Sequence, residues 1–395
     1  MGPSLKLLTV AGIPVRVHWT FFLLLGWFLL SPFVRGSEHA LAEGLRSTAF
    51  VLAVFACVVL HEFGHALAAR TFGVRTRDVT LLPIGGVARL ERMPERPGQE
   101  LIVALAGPAV NVLLAIVMVP LALVLNGPEA FLPAPGATIL NIPFLPALAS
   151  INVFLAVFNL VPAFPMDGGR VLRAVLAMTM SRARATSVAA GVGQALAIGF
   201  ALLGLVAGNV LLMLVAVFVF LGAGAEAQAT RTTEALRGMT VADAMVRRFR
   251  VLHESDTLRE AADELISGEQ HDFPVLRDGA ADDDAGALAG VLPRAGLIRA
   301  LANGGLAARV GDAMEPSCPA VRPDDPLERA LELSRGGAAS GPGGVPPSRT
   351  SCSLVPVAEP AAGPSGAQLR LVGMVTSENV MELVAVRSAL RSRAR

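Results

Sequence analysis

Apolar residues run in long blocks up to about residue 226 and in short, interrupted pieces beyond it. The stretch TAFVLAVFACVVLHEFGHALAARTF, residues 48–72, and the stretch LIVALAGPAVNVLLAIVMVPLALVL from Leu101 each exceed the roughly 20 residues that a helix needs to cross a bilayer. Ahead of them, VHWTFFLLLGWFLLSPF from Val17 reads as a first span, with Trp19 and Trp27 placed for interfacial roles. It leads into SPFVRG instead of a small-x-small site, so it is expected to stay uncleaved. His18 at its start reads as a polar anchor. A fourth apolar run from Ala147 breaks at Pro162 and Pro165 within FNLVPAFPMDGGR, and two more run from about Ser187 to Val206 and from Asn209 to Ala225.

Six spans leave both termini on one side, and the arginines say which. Short extended pieces flank Gly85 and Gly86 between spans two and three, a hairpin pattern over Val79 to Leu90. Arg70, Arg75, Arg77, Arg89, Arg92 and Arg96 crowd this connection, and Arg170, Arg173, Arg182 and Arg184 follow span four. The loops opposite hold Arg35 and Arg46, so the positive-inside rule puts both termini in the cytoplasm of a multi-pass protein.

Inside span two stand His61, Glu62 and His65. Each ionisable side chain in hydrocarbon costs about 2.5–3.5 kcal/mol on insertion scales, so three within five residues need a reason. On a helix the two histidines lie about 40° apart around the axis and about 6 Å apart along it, close enough to share one ion. Zinc held this way takes a nitrogen from each ring, needs one more protein ligand and keeps a position for water. Glu62 can take a proton from that water without being a ligand. The competing reading, two partnered histidines on a buried helix, leaves the glutamate without a use. Cys57 is eight residues from His65, about 12 Å of rise, too far to share the ion, and reads as a packing residue.

The third ligand should come from another polar residue at membrane depth. The prolines of FNLVPAFPMDGGR remove backbone donors, and irregular backbone is tolerated there only in protein or along a cavity. Asp167, beside Gly168 and Gly169, is the candidate, its glycines expected to let backbone approach the ion; the alternative is a cap for a helix starting near Gly169. Asn159 offers an amide to a substrate carbonyl or developing oxyanion, or packs between helices. In the third span, Gly107, Pro108 and Asn111 suit close approach of a neighbouring helix.

Composition narrows the classes further. At 395 residues and 53% hydrophobic, the chain is too apolar to be wholly soluble and too long for one domain. A net charge of +1 provides no field for nucleic acid. Three cysteines, at 57, 318 and 352, cannot build a disulfide framework, which fits a reducing compartment around the tail.

HEFGH in an early span, AGPAVN in the next and NLVPAFPMDGGR after it resemble the site-2 protease family of intramembrane zinc metalloproteases over residues 10–225. The resemblance implies zinc, one per chain, on His61, His65 and Asp167, with Glu62 activating water and Asn159 assisting the substrate. It implies a membrane-anchored protein as substrate and a hairpin around PIGG that engages it. Met166 stands where leucine is usual before the aspartate, a conservative departure. Because a helical substrate hides its peptide bonds, the Val79 to Leu90 region is expected to pair with the unwound segment as an added strand, a role that proline at Val87 would test.

From Met239 on, the chain repeats itself: Val241, Asp243, Met245, Asp256, Leu258 and Ala261 recur 69 positions later as Val310, Asp312, Met314, Asp325, Leu327 and Ala330. Each copy resembles a cystathionine-β-synthase (CBS) domain, a module whose pairs bind adenosine nucleotides. The resemblance puts Thr376 and Asn379 at a site for ATP or another adenosine nucleotide, while Pro293 and Gly296 in the first copy cannot supply the same contacts. A purely dimerising module, giving a homodimer, is the alternative. The expected organisation is an α-helical polytopic membrane domain of about six transmembrane helices over 1–229, then a cytosolic α+β tandem CBS module with domains at 230–301 and 302–391 and a low-complexity insertion at 335–351. A CBS-regulated ion transporter or channel and a catalytically dead scaffold compete with the protease reading; the complete HExxH and DG set disfavours both.

Overall fold

A computed structural model describes residues 4–83, 85–90, 93–94, 96–131, 142–236, 238–279, 288–316, 319–334, 353–361 and 368–393. The insertion at 335–351, Arg92 and the Ile84 of PIGG lie outside the described residues. The chain forms two units, 1–230 and 231–395.

The first unit opens with a hairpin of β1 (Ser4–Val10) and β2 (Ile13–His18), then α1 (Trp19–Val34), α2 (Ala40–Thr71), β3 (Thr76–Leu82), β4 (Gly85–Leu90), α3 (Pro97–Asn126), α4 (Phe144–Asn159), α5 (Asp167–Leu176), α6 (Arg182–Val206) and α7 (Val210–Leu236). Among the described residues four helices are long and apolar enough to cross a membrane: α2, α3, α6 and, over Val210–Thr232, α7. Helices α1 and α4, at 16 residues each, are shorter apolar helices. His18 caps α1, its ring accepting from the Thr20 backbone N–H, a polar role at the head of the helix.

The β3–β4 hairpin is legible in the sequence, whereas β1 and β2 are not. The four strands form one sheet in the order β1-β2-β3-β4, with β2 and β3 parallel and Val15 opposite Val79. The turn between β1 and β2 has positive φ at Ala11 (50°) and Gly12 (82°), the backbone of a tight two-residue hairpin. The alternation of Ile13, Val15 and Val17 with Pro14, Arg16 and His18 is masked because Val17 and His18 also lead into the apolar run of α1. One face of the sheet, through Ile13, Val15 and Val79, packs on Phe63 and Ala66 of α2. Buried Asp78 adds an ion pair to Arg89 at 2.6 Å and lies 3.7 Å from Arg16, joining β2, β3 and β4. The sheet is thereby fastened to the turn of α2 that carries His61, Glu62 and His65.

The second unit contains α8 (Val241–Ala244), β5 (Leu252–His253), α9 (Leu258–Ser267), β6 (Phe273–Leu276), β7 (Leu288–Leu292), α10 (Arg294–Gly304), α11 (Val310–Ala313), β8 (Glu315–Pro316), α12 (Leu327–Ser334), β9 (Leu354–Ala361), β10 (Gln368–Thr376) and α13 (Ser377–Arg393). The 69-residue repeat is visible in its hydrogen bonds. Val241 N–H donates to Asp325 C=O at 2.9 Å, and Val310 N–H donates to Asp256 C=O at 2.8 Å. The short opening helix of each copy therefore docks on the body of the other. Val241 accordingly lies in a core with Leu327, Val355 and Val375, whereas Val310 lies in one with Leu258, Phe273 and Leu292. Each fully buried aliphatic or phenyl side chain in these cores contributes about 1.5–3 kcal/mol, so neither copy is complete without the first turn of the other.

Candidate metal centre

Helix α2 carries His61 and His65 on one face because their spacing of four residues is close to one turn. Their rings meet edge to face at 82°, with centroids 4.8 Å apart and the two Nε2 atoms 3.1 Å apart. Asp167, the first residue of α5, brings Oδ2 to 3.2 Å from His61 Nε2 and 3.0 Å from His65 Nε2. All three residues are buried. Among the described residues they are the group of His, Cys, Asp or Glu whose possible ligand atoms all lie within 4.8 Å of one another. Cys57 is buried away from this group and accepts from the Asn152 amide.

Asp167 reaches the imidazoles because the chain reverses sharply between α4 and α5. A Cβ on Gly168 would lie 2.2 Å from the Val161 carbonyl oxygen, so only glycine lets α5 begin there. The two glycines thus bring backbone close to the preceding turn, where the sequence leads one to expect an approach to the ion. Nor does Asp167 act as a helix cap, since Met166 occupies that position. Arg173, two turns along α5, is buried and pairs with Glu100 of α3 at 2.6 Å and with Glu226 of α7. Arg182 of α6 reaches the other Glu100 oxygen at 3.0 Å. Ion pairs from Arg173 to α3 and α7 thus hold α5 in orientation, and Arg182 of α6 shares the Glu100 carboxylate with it. Counting arginines for topology cannot reveal that Arg173 is an interior clamp.

The donor set fits a cation. His65 Nδ1 lies 2.7 Å from the Val103 backbone carbonyl, which can only accept, so Nδ1 carries the proton and Nε2 presents a lone pair. His61 Nδ1 donates in the same way to Asn111 Oδ1. Two nitrogen lone pairs and a carboxylate oxygen then face one another at about 3 Å with no proton of the rings to share. A positive ion relieves that repulsion, and two imidazoles with one carboxylate form a zinc-type ligand set.

Helix α3 presses directly on this set. A Cβ on Gly107 would stand 2.2 Å from His65 Nε2 and 2.7 Å from His61 Nε2, inside the volume an ion would use. Gly107→Ala is expected to lose most of its bound metal and to destabilise the α2–α3 contact by about 1–3 kcal/mol. Metal analysis of the purified variant checks this, and full occupancy would mean that the rings do not stay where the contact holds them.

Glu62, next to His61, accepts the Ala88 backbone N–H through Oε2 at 2.9 Å. Asn159 ends α4 at the start of the reversal, half-buried and outside the cluster of three. In the second unit, Thr376 donates its hydroxyl to the Asn379 side chain and accepts the Asn379 N–H at 3.3 Å, so the two residues close on each other at the start of α13. A cleft of about 1000 Å³ in that unit is lined by Arg247, Arg248, Arg250 and Arg370, and by neither of them. Sequence reasoning misses Glu100, Asn111 and Asn152 as parts of the site. A lone Glu or Asn in an apolar run is the available signal, and Asn111 reads from the sequence as packing instead.

Peptidase family M50 matches residues 49–140 and 134–203, and the CBS domain matches residues 241–303. A zinc metalloprotease of Methanocaldococcus jannaschii is 32% identical over 279 residues, 71% of this chain and 77% of that protein. Rip3 of Mycobacterium tuberculosis is 30% identical over 352 residues, 84% of this chain and 85% of its own. The solved site-2 protease from Methanocaldococcus jannaschii is 35% identical and covers 57% of this chain and 95% of its own, with a TM-score of 0.42.

Proposed function

The chain belongs to peptidase family M50, the site-2 type zinc metalloproteases, and from that membership we propose that it cuts peptide bonds inside the spanning segments of membrane-anchored proteins. The carrying observation is the convergence of His61, His65 and Asp167, drawn from two helices and buried in an apolar unit. These three residues would hold the zinc. When bound, zinc supplies Lewis acidity, polarising the scissile carbonyl and making water nucleophilic near neutral pH. Glu62 takes the water's proton on a carboxylate oxygen and returns it to the departing amine. Asn159, at the mouth of the α4–α5 reversal, donates its amide to the developing oxyanion. The buried walls around the histidines limit access of bulk water.

Strand β4 lies at the edge of the sheet, next to Glu62. Since the Ala88 N–H points to Glu62, alternation along an antiparallel strand turns the Val87 N–H toward β3. The outward edge therefore runs through Gly86, Ala88 and Leu90, and because Glu62 takes the Ala88 N–H, the donors it offers an unwound substrate are those of Gly86 and Leu90. Proline at Val87 would damage the hairpin's own ladder and proline at Ala88 would take a hydrogen bond from Glu62, so Leu90→Pro is the better probe. It should lower cleavage of a membrane substrate about 2- to 10-fold, the worth of one backbone hydrogen bond, and leave zinc content unchanged. Full activity in that variant rejects strand addition at this edge.

The same reading puts both termini in the cytoplasm and makes the second unit a regulator, with nucleotide phosphates against Arg247, Arg248, Arg250 and Arg370. The test of the function as a whole is a comparison of membrane-fraction fragments from cells with and without the chain. Fragments ending within spanning segments should appear only when it is present; their absence, with ion flux intact in vesicles, would favour transport.

A further inference from the structure

Two asparagines sit fully buried in the apolar helices beside the histidines, at 0% exposure each. Asn152 of α4 donates its amide to the Leu148 carbonyl at 2.9 Å and to Cys57 Sγ at 3.4 Å. Its Oδ1 accepts the Asn111 amide at 3.0 Å, and Asn111 Oδ1 in turn accepts from His61 Nδ1. We propose that Asn111 and Asn152 are positioning residues that set the tautomer of His61. The inference rests on the metal-centre reading above and adds to it the means by which one ligand is made ready.

Hydrogen-bond direction passes along this series from one end to the other. A backbone carbonyl only accepts, so the Leu148 oxygen obliges Asn152 to turn its NH2 that way and its Oδ1 toward Asn111. That oxygen obliges Asn111 to present NH2 to Asn152 and Oδ1 to His61. The ring must then hold its proton on Nδ1, leaving Nε2 unprotonated beside His65 and Asp167. Were Asn111 reversed, its NH2 would face Nδ1, the proton would move to Nε2, and coordination there would be blocked. His65 needs no such relay, because the Val103 carbonyl accepts from its Nδ1 directly. Orientation of a ligating histidine by its second nitrogen is a general feature of metal sites. Here an amide pair performs it across three helices, carrying no charge into the membrane.

The experiment is a chelator competition for zinc on the purified full-length chain in detergent, with no substrate present. Asn111→Leu should weaken zinc binding about 10- to 100-fold, the usual cost of losing such a partner. Asn152→Leu, which keeps the acceptor but not its direction, should weaken it less. The double variant should be no worse than Asn111→Leu, because the two act in series. Asn111→Asp can still accept the Nδ1 proton and should recover most of the affinity. A residue that merely glued helices would behave oppositely, tolerating leucine better than a buried carboxylate. Zinc affinity in Asn111→Leu within about twofold of the parent, or Asn111→Asp no tighter than Asn111→Leu, overturns the relay. Should Asn111→Leu fail to accumulate, Asn152→Leu decides in its place: weakened zinc binding supports the relay, and affinity equal to the parent overturns it. A parent chain that takes up no zinc removes the metal reading itself, and the relay with it.

Discussion

Glu62→Gln is expected to keep its zinc and lose its proteolysis. The substitution preserves shape, and the glutamine carbonyl can still accept the Ala88 N–H, so the local fold and the histidines beside it should not move. What disappears is a carboxylate that can accept the water's proton and pass it on. Positioned acid–base groups contribute about 10²–10⁴ in rate, and cleavage of a co-expressed membrane substrate should fall by that range. The measurement pairs fragment yield with zinc stoichiometry on the same preparation. Parent-level cleavage would remove Glu62 from the mechanism, whereas lost zinc would make it a ligand.

Asp167→Ala should have the complementary signature, with zinc itself released. The carboxylate contributes the only negative charge in the set of three, and a pair of unit charges about 4 Å apart is worth about 4 kcal/mol at an effective dielectric near 20. That corresponds to an affinity loss on the order of a thousandfold. A second effect adds to it: Arg170 has its guanidinium 3.8 Å from Asp167 Oδ1, and removing the carboxylate leaves that cation facing the site. Metal analysis after dialysis against a mild chelator decides the matter. One zinc per chain in the variant would exclude Asp167 as a ligand.

Much of the site is readable from the sequence because its largest part is local. His61, Glu62 and His65 lie within five residues of one helix, where geometry follows from 3.6 residues per turn. The proline break before Asp167 is equally plain, since prolines and glycines mark their own backbone. The residues that support these groups are harder to see. Glu100 and Arg173 are 73 positions apart and buried together, and neither lies in a motif. Asn111 stands out only for the small neighbours that let a helix approach. In the strand region, the β3–β4 hairpin is marked by its glycines, while β1 and β2 merge with the apolar run that follows them. The strand-addition test accordingly moves from Val87 to Leu90, because only the register and the Ala88–Glu62 bond say which outward N–H is left for a partner.

Sequence alone determined whatever depends on neighbours in the chain: the apolar blocks, the histidine pair on one helical face, the break at the DG motif and the 69-residue repeat. Tertiary structure decided which distant groups meet. Asp167 reaches His61 across 106 positions and Asn111 across 50, through helix contacts as close as Gly107 against the imidazoles. It also decided that the two repeats exchange their opening turns, which a linear division of the repeat does not express. The physical reason is the same in each case. Periodicity constrains a residue's direction from its own helix axis, but the partner in that direction is selected by packing of whole elements, summed over contacts that no short window of sequence contains.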